Sequence, residues 1–513
     1  MSLFKPVGEL RPLRGRQIPV IPAIAEAIRE GHKRIIVQMP TGGGKTVLAA
    51  HMMDRSARKG KRPMFVAPAI QLVEQTLASF EEQGLSDIGI IQAQHHRTDF
   101  RAQIQIASRN TLVRRKLPEI DFAIVDEVHD STAGLEAIID GDEWKNKIVI
   151  GLSATPWSRG LGLRWTKLIV AATMQQMIDD GAPTGLSPFK CFSSPIDPDM
   201  RGVKKIGDDY NEAQTAAIMS GEQPIGDAVE TWLKHRQNGN HPGDRTFLYG
   251  VNRAHARALM EKFQSAGIAC GYIDGETPAE QRKDVFAKYR SRETKVLCNV
   301  GVLITGVDED VRCISDCAPT QSEIRLVQRW GRGARLADSK AYCLGLDHAG
   351  NLTRLGCPWD IHHDTLDMRG PKDKGEAYEE EKAVQKPRKC QQCFALIPAK
   401  VGPCPSCGFV YVAPNRIEHA AGELTELMTR KPPKAKMDEK QFYYSGLLAI
   451  AQQRGFKDGW VSNQFRAKFS TWPRGLERVP RTPRKEVKAF VEESRRKYLE
   501  SIKRPRTEER KEA

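Results

Sequence analysis

Residues 34–39, RIIVQM, form an apolar run that stops at a glycine-rich stretch, and the KTVLAAHMMDRSARKG that follows repeats its apolar positions at helical spacing. Strand, loop and helix are therefore expected in succession. Further runs of β type stand at 64–69 (MFVAPA), 104–108 (IQIAS), 122–127 (FAIVDE) and 148–155 (IVIGLSAT), with helical or loop segments between them. A second series begins after the Pro/Gly/Ser-rich stretch 181–188, with strands at 246–251, 295–300, 313–317 and 341–347. Strands alternating with helices predict mainly parallel sheets covered on both faces, hence an α/β class with two domains in tandem, 1–183 and 184–370. The charged segment 371–386 reads as a linker, 387–414 as a small cysteine-bearing unit, and 415–513 as a basic, mainly helical region. No repeat of 20–50 residues runs through the chain.

Composition adds a partner class to this outline. At 513 residues the chain exceeds one ordinary core, since domains run to about 100–200 residues. With 40% hydrophobic and 28% charged residues it reads as a globular protein without a membrane span, because no stretch approaches the roughly 18 apolar residues that one needs. The first residues lack the apolar core of a secretory signal, so a cytoplasmic location is expected. The net charge of +15 points to a polyanion, and Pro432–Ala513 alone holds 21 Lys and Arg against 11 Asp and Glu. A merely solvated basic surface is the alternative that composition leaves open.

The glycine loop supplies the first chemistry. In MPTGGGKT, Thr41, Gly42, Gly43 and Gly44 leave backbone N–H groups free to approach phosphates at a helix start. Lys45 would reach the β- and γ-phosphates, and the Thr46 hydroxyl would take a place on Mg²⁺. Met39 occupies the first position of the pattern G-x-x-x-x-G-K-[ST], where glycine is usual, but lies outside the part that must wrap the phosphates. FAIVDEVH then delivers two carboxylates at the C-terminal end of a strand, where ligands bind in open α/β sheets. Asp126 suits Mg²⁺, Glu127 suits orientation or deprotonation of the attacking water, and His129 suits a relay.

MPTGGGKT followed by DEVH resembles motifs I and II of superfamily 2 DExH/DEAD-type helicases, and further matches follow in order over residues 8–351. The resemblance implies two tandem RecA-like P-loop domains. LRPLRGRQ (10–17) resembles the Q motif, which implies that Gln17 reads the adenine edge. FVAPAIQLVEQ (65–75) and ASRNTL (107–112) resemble motifs Ia and Ic, which implies nucleic-acid contacts by Pro68, Gln75, Ser108 and Thr111; Ala69 stands where this group often has Arg. Ser153 and Thr155 in SAT resemble motif III, which couples hydrolysis to movement. In the second domain FLYGVNRAHA (247–256) resembles motif IV. LITGVDED (303–310) resembles motif V, implying Thr305 on nucleic acid and Gly306 and Asp308 beside the nucleotide. PTQSEIRLVQRWGRGAR (319–335) carries motif VI as Gln328, Gly331, Arg332 and Arg335. A phosphoryl group in transfer needs cations at its oxygens, and Arg332 and Arg335 would supply them from the second domain.

Of the 11 cysteines, seven scatter over Cys191–Cys357, while Cys390, Cys393, Cys404 and Cys407 form two C-x-x-C knuckles ten residues apart. That spacing predicts a tetrahedral, structural zinc ribbon. In the tail, Trp460, Phe465, Phe469 and Trp472 interleave with Arg466, Lys468 and Arg474, as base-stacking surfaces do; the i, i+4, i+7 spacing of three of them fits core packing better. Core, ribbon and tail together are similar to bacterial and phage helicases, including RadD-like DNA-repair helicases. The expectation is an ATP-dependent DNA helicase or translocase using ATP, magnesium and zinc, on DNA of single-stranded or branched character, with no membrane and with protein partners unknown. Two alternatives stay open: a nucleic-acid-stimulated ATPase that remodels DNA or RNA without separating strands, and a zinc-containing binding protein with a vestigial ATPase. The E-x-K at Glu143-Trp144-Lys145 reads as a surface turn and not as a nuclease site.

Overall fold

The computed structural model describes residues 8–194, 197–237, 245–304, 306–370, 387–390, 392–393, 395–397, 402–410, 437–469 and 471–503. They fall into two compact units, one ending at Ala413 and one starting at Pro414. The linker expected at 371–386 and the Lys/Pro-rich stretch at 429–436 lie outside the described residues, as does Thr305.

Seven strands build the first sheet of the larger unit: β1 (Arg34–Gln38), β2 (Pro63–Ala67), β3 (Ile88–Ile91), β4 (Ile104–Ser108), β5 (Phe122–Asp126), β6 (Ile148–Ser153) and β7 (Lys167–Val170). They pair in parallel in the order β3-β4-β2-β5-β6-β1-β7. The continuous apolar runs follow from burial on both faces. Ile35 and Val37 join the core with Phe65, Ile106 and Ile124, while Ile36 joins Met64, Val66 and Val125 on the other side.

The second sheet uses β8 (Phe189–Ser193), β11 (Thr246–Tyr249), β12 (Cys270–Ile273), β13 (Val296–Asn299), β14 (Cys313–Asp316) and β15 (Cys343–Asp347), parallel in the order β12-β13-β11-β14-β15-β8. Between β8 and β11 lies a small hairpin of β9 (Lys205–Ile206) and β10 (Asp209–Tyr210). Its Asp209 accepts hydrogen bonds from Thr320 Oγ1 and Gln321 N and pairs with Arg325 at 3.0 Å, which ties it to the start of the helix Glu323–Gly331. Cys298, Cys313 and Cys343 are small apolar core residues of this sheet, and burial pushes their thiols up, away from reactivity.

The edge strand β8 is not left bare. The hairpin β16 (Arg388–Lys389) and β17 (Leu396–Ile397) docks on it through an antiparallel bridge from Ala395 to Phe192. Lys389 Nζ donates to Ser194 O at 2.6 Å and pairs with Asp197 at 2.5 Å. An unpaired row of N–H and C=O groups is thereby covered in part.

The smaller unit has helices at Met437–Arg454, Asp458–Phe469 and Lys485–Lys503. They meet over Tyr444, Leu447, Val461, Phe465, Val487 and Val491. No described helix of either unit is long and apolar enough to cross a membrane.

Candidate nucleotide site

The register of β1, β5 and β6 brings three motifs side by side. Gln38 pairs with Ser153, Asp126 with Leu152, and Met39 N donates to Ser153 O at 3.0 Å. The glycine loop then turns into the helix Lys45–Ala57. Met39 is buried beneath this loop, 1% exposed, and a Cβ on Gly43 would lie 2.6 Å from its Cγ. The side chain that departs from the usual pattern is thus the floor of the loop and makes glycine obligatory above it. Lys45 Nζ sits 3.4 Å from Met39 O and 3.7 Å from Glu127 Oε1.

Glu127 holds a left-handed backbone, φ 47°, uncommon for a residue with a side chain and found where a site over-determines it. The turn sets Asp126 and Glu127 together on the wall of one cavity. Burial, then the neighbouring Glu127 charge, raises Asp126 to about 7. Burial would raise Glu127 too, but Lys45, His129 and Arg332 outweigh it and hold Glu127 below the ordinary carboxylate range. Glu127 Oε2 is buried 3.4 Å from His129 Nδ1, and the residue lines, with Thr46 and Asp126, a cavity of about 540 Å³. A hydroxyl and a carboxylate at the end of a glycine loop are donors that fit Mg²⁺, with room for the waters it keeps.

The second sheet closes this cavity. Gly306, Asp308, Arg332 and Arg335 face Thr41, Gly42, Lys45 and Thr46 across it. Contact is tight: a Cβ on Gly42, whose φ is 85°, would come within 3.2 Å of Arg335 Cγ. Arg332 donates from Nε to Ile304 O at 2.8 Å and from Nη1 to Val307 O at 3.1 Å; Arg335 donates to Val307 O and pairs with Asp308 at 2.9 Å. Burial, then the charge of Arg335, brings Arg332 down to about 10, where it remains a cation at neutral pH.

A chain of hydrogen bonds runs between the domains next to this cavity. Gln328 Nε2 is 2.6 Å from His129 Nε2 and donates to Thr155 Oγ1 at 3.3 Å. The amide can only donate, so His129 Nε2 accepts and the ring proton belongs on Nδ1, which faces Ser153 Oγ at 2.8 Å. Ser153 Oγ also accepts from Thr155 N. Burial lowers the His129 pKa, in keeping with a neutral ring.

Several residues singled out from the motifs are held by the fold itself. Gln17 is buried, and its amide donates to Gly43 O and Gly44 O at 3.0 Å while its oxygen accepts from Arg14 N. It braces the glycine loop and also lines the nucleotide cavity. Gln75 is exposed and lines the nucleotide cavity, with Leu72, Thr76 and Ser79 on the same face of the helix Ile70–Glu82. Ser108 is fully buried at the end of β4, and Pro68 is buried as well, so neither offers a surface contact. Thr111 is half-buried, its Oγ1 accepting from Ala93 N. Glu143-Trp144-Lys145 is a structural turn: Trp144 is buried, its carbonyl accepts from Arg34 Nη2 at 2.9 Å, and Lys145 pairs with Asp142. Sequence reasoning missed Arg11, Arg14, Pro183 and Gly185 as cavity walls: Arg11 and Arg14 lie within LRPLRGRQ, where only Gln17 is singled out, and Pro183 and Gly185 lie in the Pro/Gly/Ser-rich stretch 181–188.

The four cysteines of the ribbon converge, their sulfurs all within 4.8 Å of one another. Cys390 and Cys407 lie 3.6 Å apart, as do Cys393 and Cys404. Tetrahedral zinc with bonds of about 2.3 Å requires about 3.8 Å between sulfurs. Against burial, N–H groups of Cys393 and Gln392 bring the Cys390 thiol down to about 6, so its thiolate is favoured as a ligand must be.

Comparison with known proteins agrees with this geometry. Residues 11–158 match the family model described as the type III restriction enzyme res subunit, and 228–337 match the helicase conserved C-terminal domain. The chain is similar to IRC3 of Saccharomyces cerevisiae, named as an ATP-dependent helicase, with 31% identity over 360 residues; these are 66% of this chain and 51% of IRC3, so the chain spans about half of that relative. It is also similar to a 51.5 kDa protein of a Lactococcus phage, at 26% identity over 85% of this chain and 89% of the phage protein. In fold it resembles the type ISP restriction-modification enzyme LlaBIII bound to DNA, with a TM-score of 0.50 at 15% identity, over 66% of this chain and 28% of that one. With two parallel-sheet domains closing on one glycine-loop cavity and each domain matched by one of these models, residues 11–337 carry the two-domain core of superfamily 2 helicases of DExH/DEAD type.

Proposed function

We propose that the protein hydrolyses ATP in the cavity between the two sheets and uses the cycle to move along, or to separate, strands of DNA. The observation that carries this reading is the opposition of Lys45, Asp126 and Glu127 on one wall to Arg332 and Arg335 on the other. Lys45 and the backbone of the glycine loop hold the phosphates. Thr46 and Asp126 would hold Mg²⁺, which offsets phosphate charge when bound. Glu127, which lines the cavity beside Lys45, orients the attacking water and takes its proton. Arg332 and Arg335 face the phosphoryl oxygens as negative charge shifts in transfer, and such a cation is worth about 10³–10⁵ in rate.

Both domains contribute to one site, so closure depends on the nucleotide and its hydrolysis releases the second domain. Gln328 bonds to His129 and Thr155 across the two domains, which links motif VI to motifs II and III in this arrangement. Strand contacts by this core are to phosphate and sugar and give little sequence choice. The positive charge of the chain supports a polyanionic partner, and the shared fold of the DNA-bound type ISP enzyme favours DNA. Cys390, Cys393, Cys404 and Cys407 would hold zinc, a structural cross-link for a unit with little core of its own. Roles in repair or in phage replication remain consistent with the relatives but rest on no residue of the site.

ATP turnover measured with single-stranded DNA, duplex DNA and RNA, beside displacement of a labelled strand from a tailed duplex, tests this reading. Stimulation with displacement is the expected result. Stimulation without displacement would select the remodelling ATPase instead, and no stimulation by any of the three would refute a motor.

A further inference from the structure

We infer that the C-terminal helical unit carries a single-stranded nucleic-acid site of its own, on the face formed by Trp472 and the basic loop that follows it. Between Arg466 and Lys485 the chain has seven Lys and Arg, all exposed, against Glu477 as the one acid. Of the aromatics interleaved with these cations, Phe465 is buried and Phe469 and Trp460 pack beside it, but Trp472 stands 46% exposed. The helical spacing that joins Trp472 to that core stripe breaks because the helix ends at Phe469. Arg466 lies over the Trp472 ring, 4.8 Å from its centroid, which leaves a stacked cation on one face and the exposed remainder of the indole for a partner.

The surface is built, not merely solvated. Gln441 clamps the loop by donating from Nε2 to Glu477 O and accepting from Glu477 N, both at 2.8 Å, and Arg481 N donates to Ser445 O at 3.1 Å. Pro473, Pro480 and Pro483 restrict its backbone further, so little entropy is lost when a ligand binds. Lys468 sits 5.2 Å from the Tyr443 centroid and Arg484 4.3 Å from that of Phe442, held by ring faces that leave their charge uncompensated. Among the described residues Arg478 pairs with Asp458 at 2.7 Å. Fixed cations around an open indole match phosphates with an unstacked base between them, which a duplex does not offer. A lipid surface fits less well, because the apolar side chains of the three helices turn into their shared core and not outward. This site shares no residue with the nucleotide cavity and needs no hydrolysis.

The test uses the full chain without nucleotide and an oligodeoxythymidine carrying 5-iodouracil. Photocrosslinking should map to Trp472. Trp472→Ala should weaken binding of the oligonucleotide roughly 5- to 100-fold. Arg474→Glu with Arg481→Glu should lower the slope of log affinity against log salt by about 1.4, at about 0.7 per phosphate. Turnover at saturating DNA should be unchanged in both variants, since the cavity residues are untouched. Crosslinks confined to residues 8–370 with unchanged binding by the combined variant would overturn the inference. Binding of phosphatidylglycerol vesicles, but not of the oligonucleotide, through these residues would overturn it too. If turnover ignored DNA while the Trp472 crosslink persisted, the motor reading would fall and this site would stand.

Discussion

His129 works only as a neutral ring. It accepts from Gln328 through Nε2 and gives its one proton to Ser153, so a second proton would remove the acceptor that joins the domains. Truncating either partner breaks the same link: His129→Ala and Gln328→Ala should each lower kcat by about 10- to 100-fold, and the double variant should lose little more than the worse single one. Full multiplication of the two effects, measured in steady-state turnover, would show that the bond does not couple them. His255 gives a comparable stability test. Its Nδ1 accepts from Val251 N, and burial brings its pKa down to about 4, below the ordinary 6.5 or so. The unfolded chain then binds the extra proton first, so this contribution is present at neutral pH and is lost as pH falls from about 6.5 towards 4, at up to about 1.4 kcal/mol per unit. Denaturant midpoints of wild type and His255→Gln should converge over that range; a constant gap would contradict the neutral ring. At this scale the sequence was informative where chemistry fixes spacing, as for Lys45, Asp126 and Arg332. It did not record which face of an element turns inward, which is what places Gln75 on the cavity wall and buries Ser108.

At the scale of elements, the strands that hydrophobic pattern identified are the interior ones, β1, β2, β4, β5 and β6 in one sheet and β11, β13, β14 and β15 in the other. Those it missed, β3, β7, β8 and β12, are the four sheet edges. The reason is physical: an interior strand is buried on both faces and reads as an unbroken apolar run, whereas β7 is half-exposed and β3 is interrupted by Gly89. The ribbon's place on the β8 edge followed from no spacing, because Phe192 and Ala395 are far apart in the chain. That contact makes the cysteine cluster part of the second domain. Cys390→Ser should release about one zinc per chain and should also raise amide hydrogen exchange at Phe189–Ser193, which loses its cover. Zinc loss without faster exchange there would show that the ribbon does not protect this edge.

For the whole molecule, the account rests on one cavity shared by two domains, with hydrolysis as the switch that opens it. Lys45→Ala should abolish turnover while leaving DNA binding largely intact, since the loop lysine serves the phosphates and not the strand. That variant alone would not distinguish a two-domain motor from an ATPase confined to the first sheet. Arg332 does, because it reaches the cavity only from the second domain and is buried there as a cation. The most direct measurement is therefore steady-state ATP turnover of wild type and Arg332→Ala, each with and without single-stranded DNA. The account predicts that DNA stimulates the wild type, and that Arg332→Ala loses about 10³-fold or more of the stimulated rate while still binding DNA. Stimulated turnover that survives Arg332→Ala would contradict it.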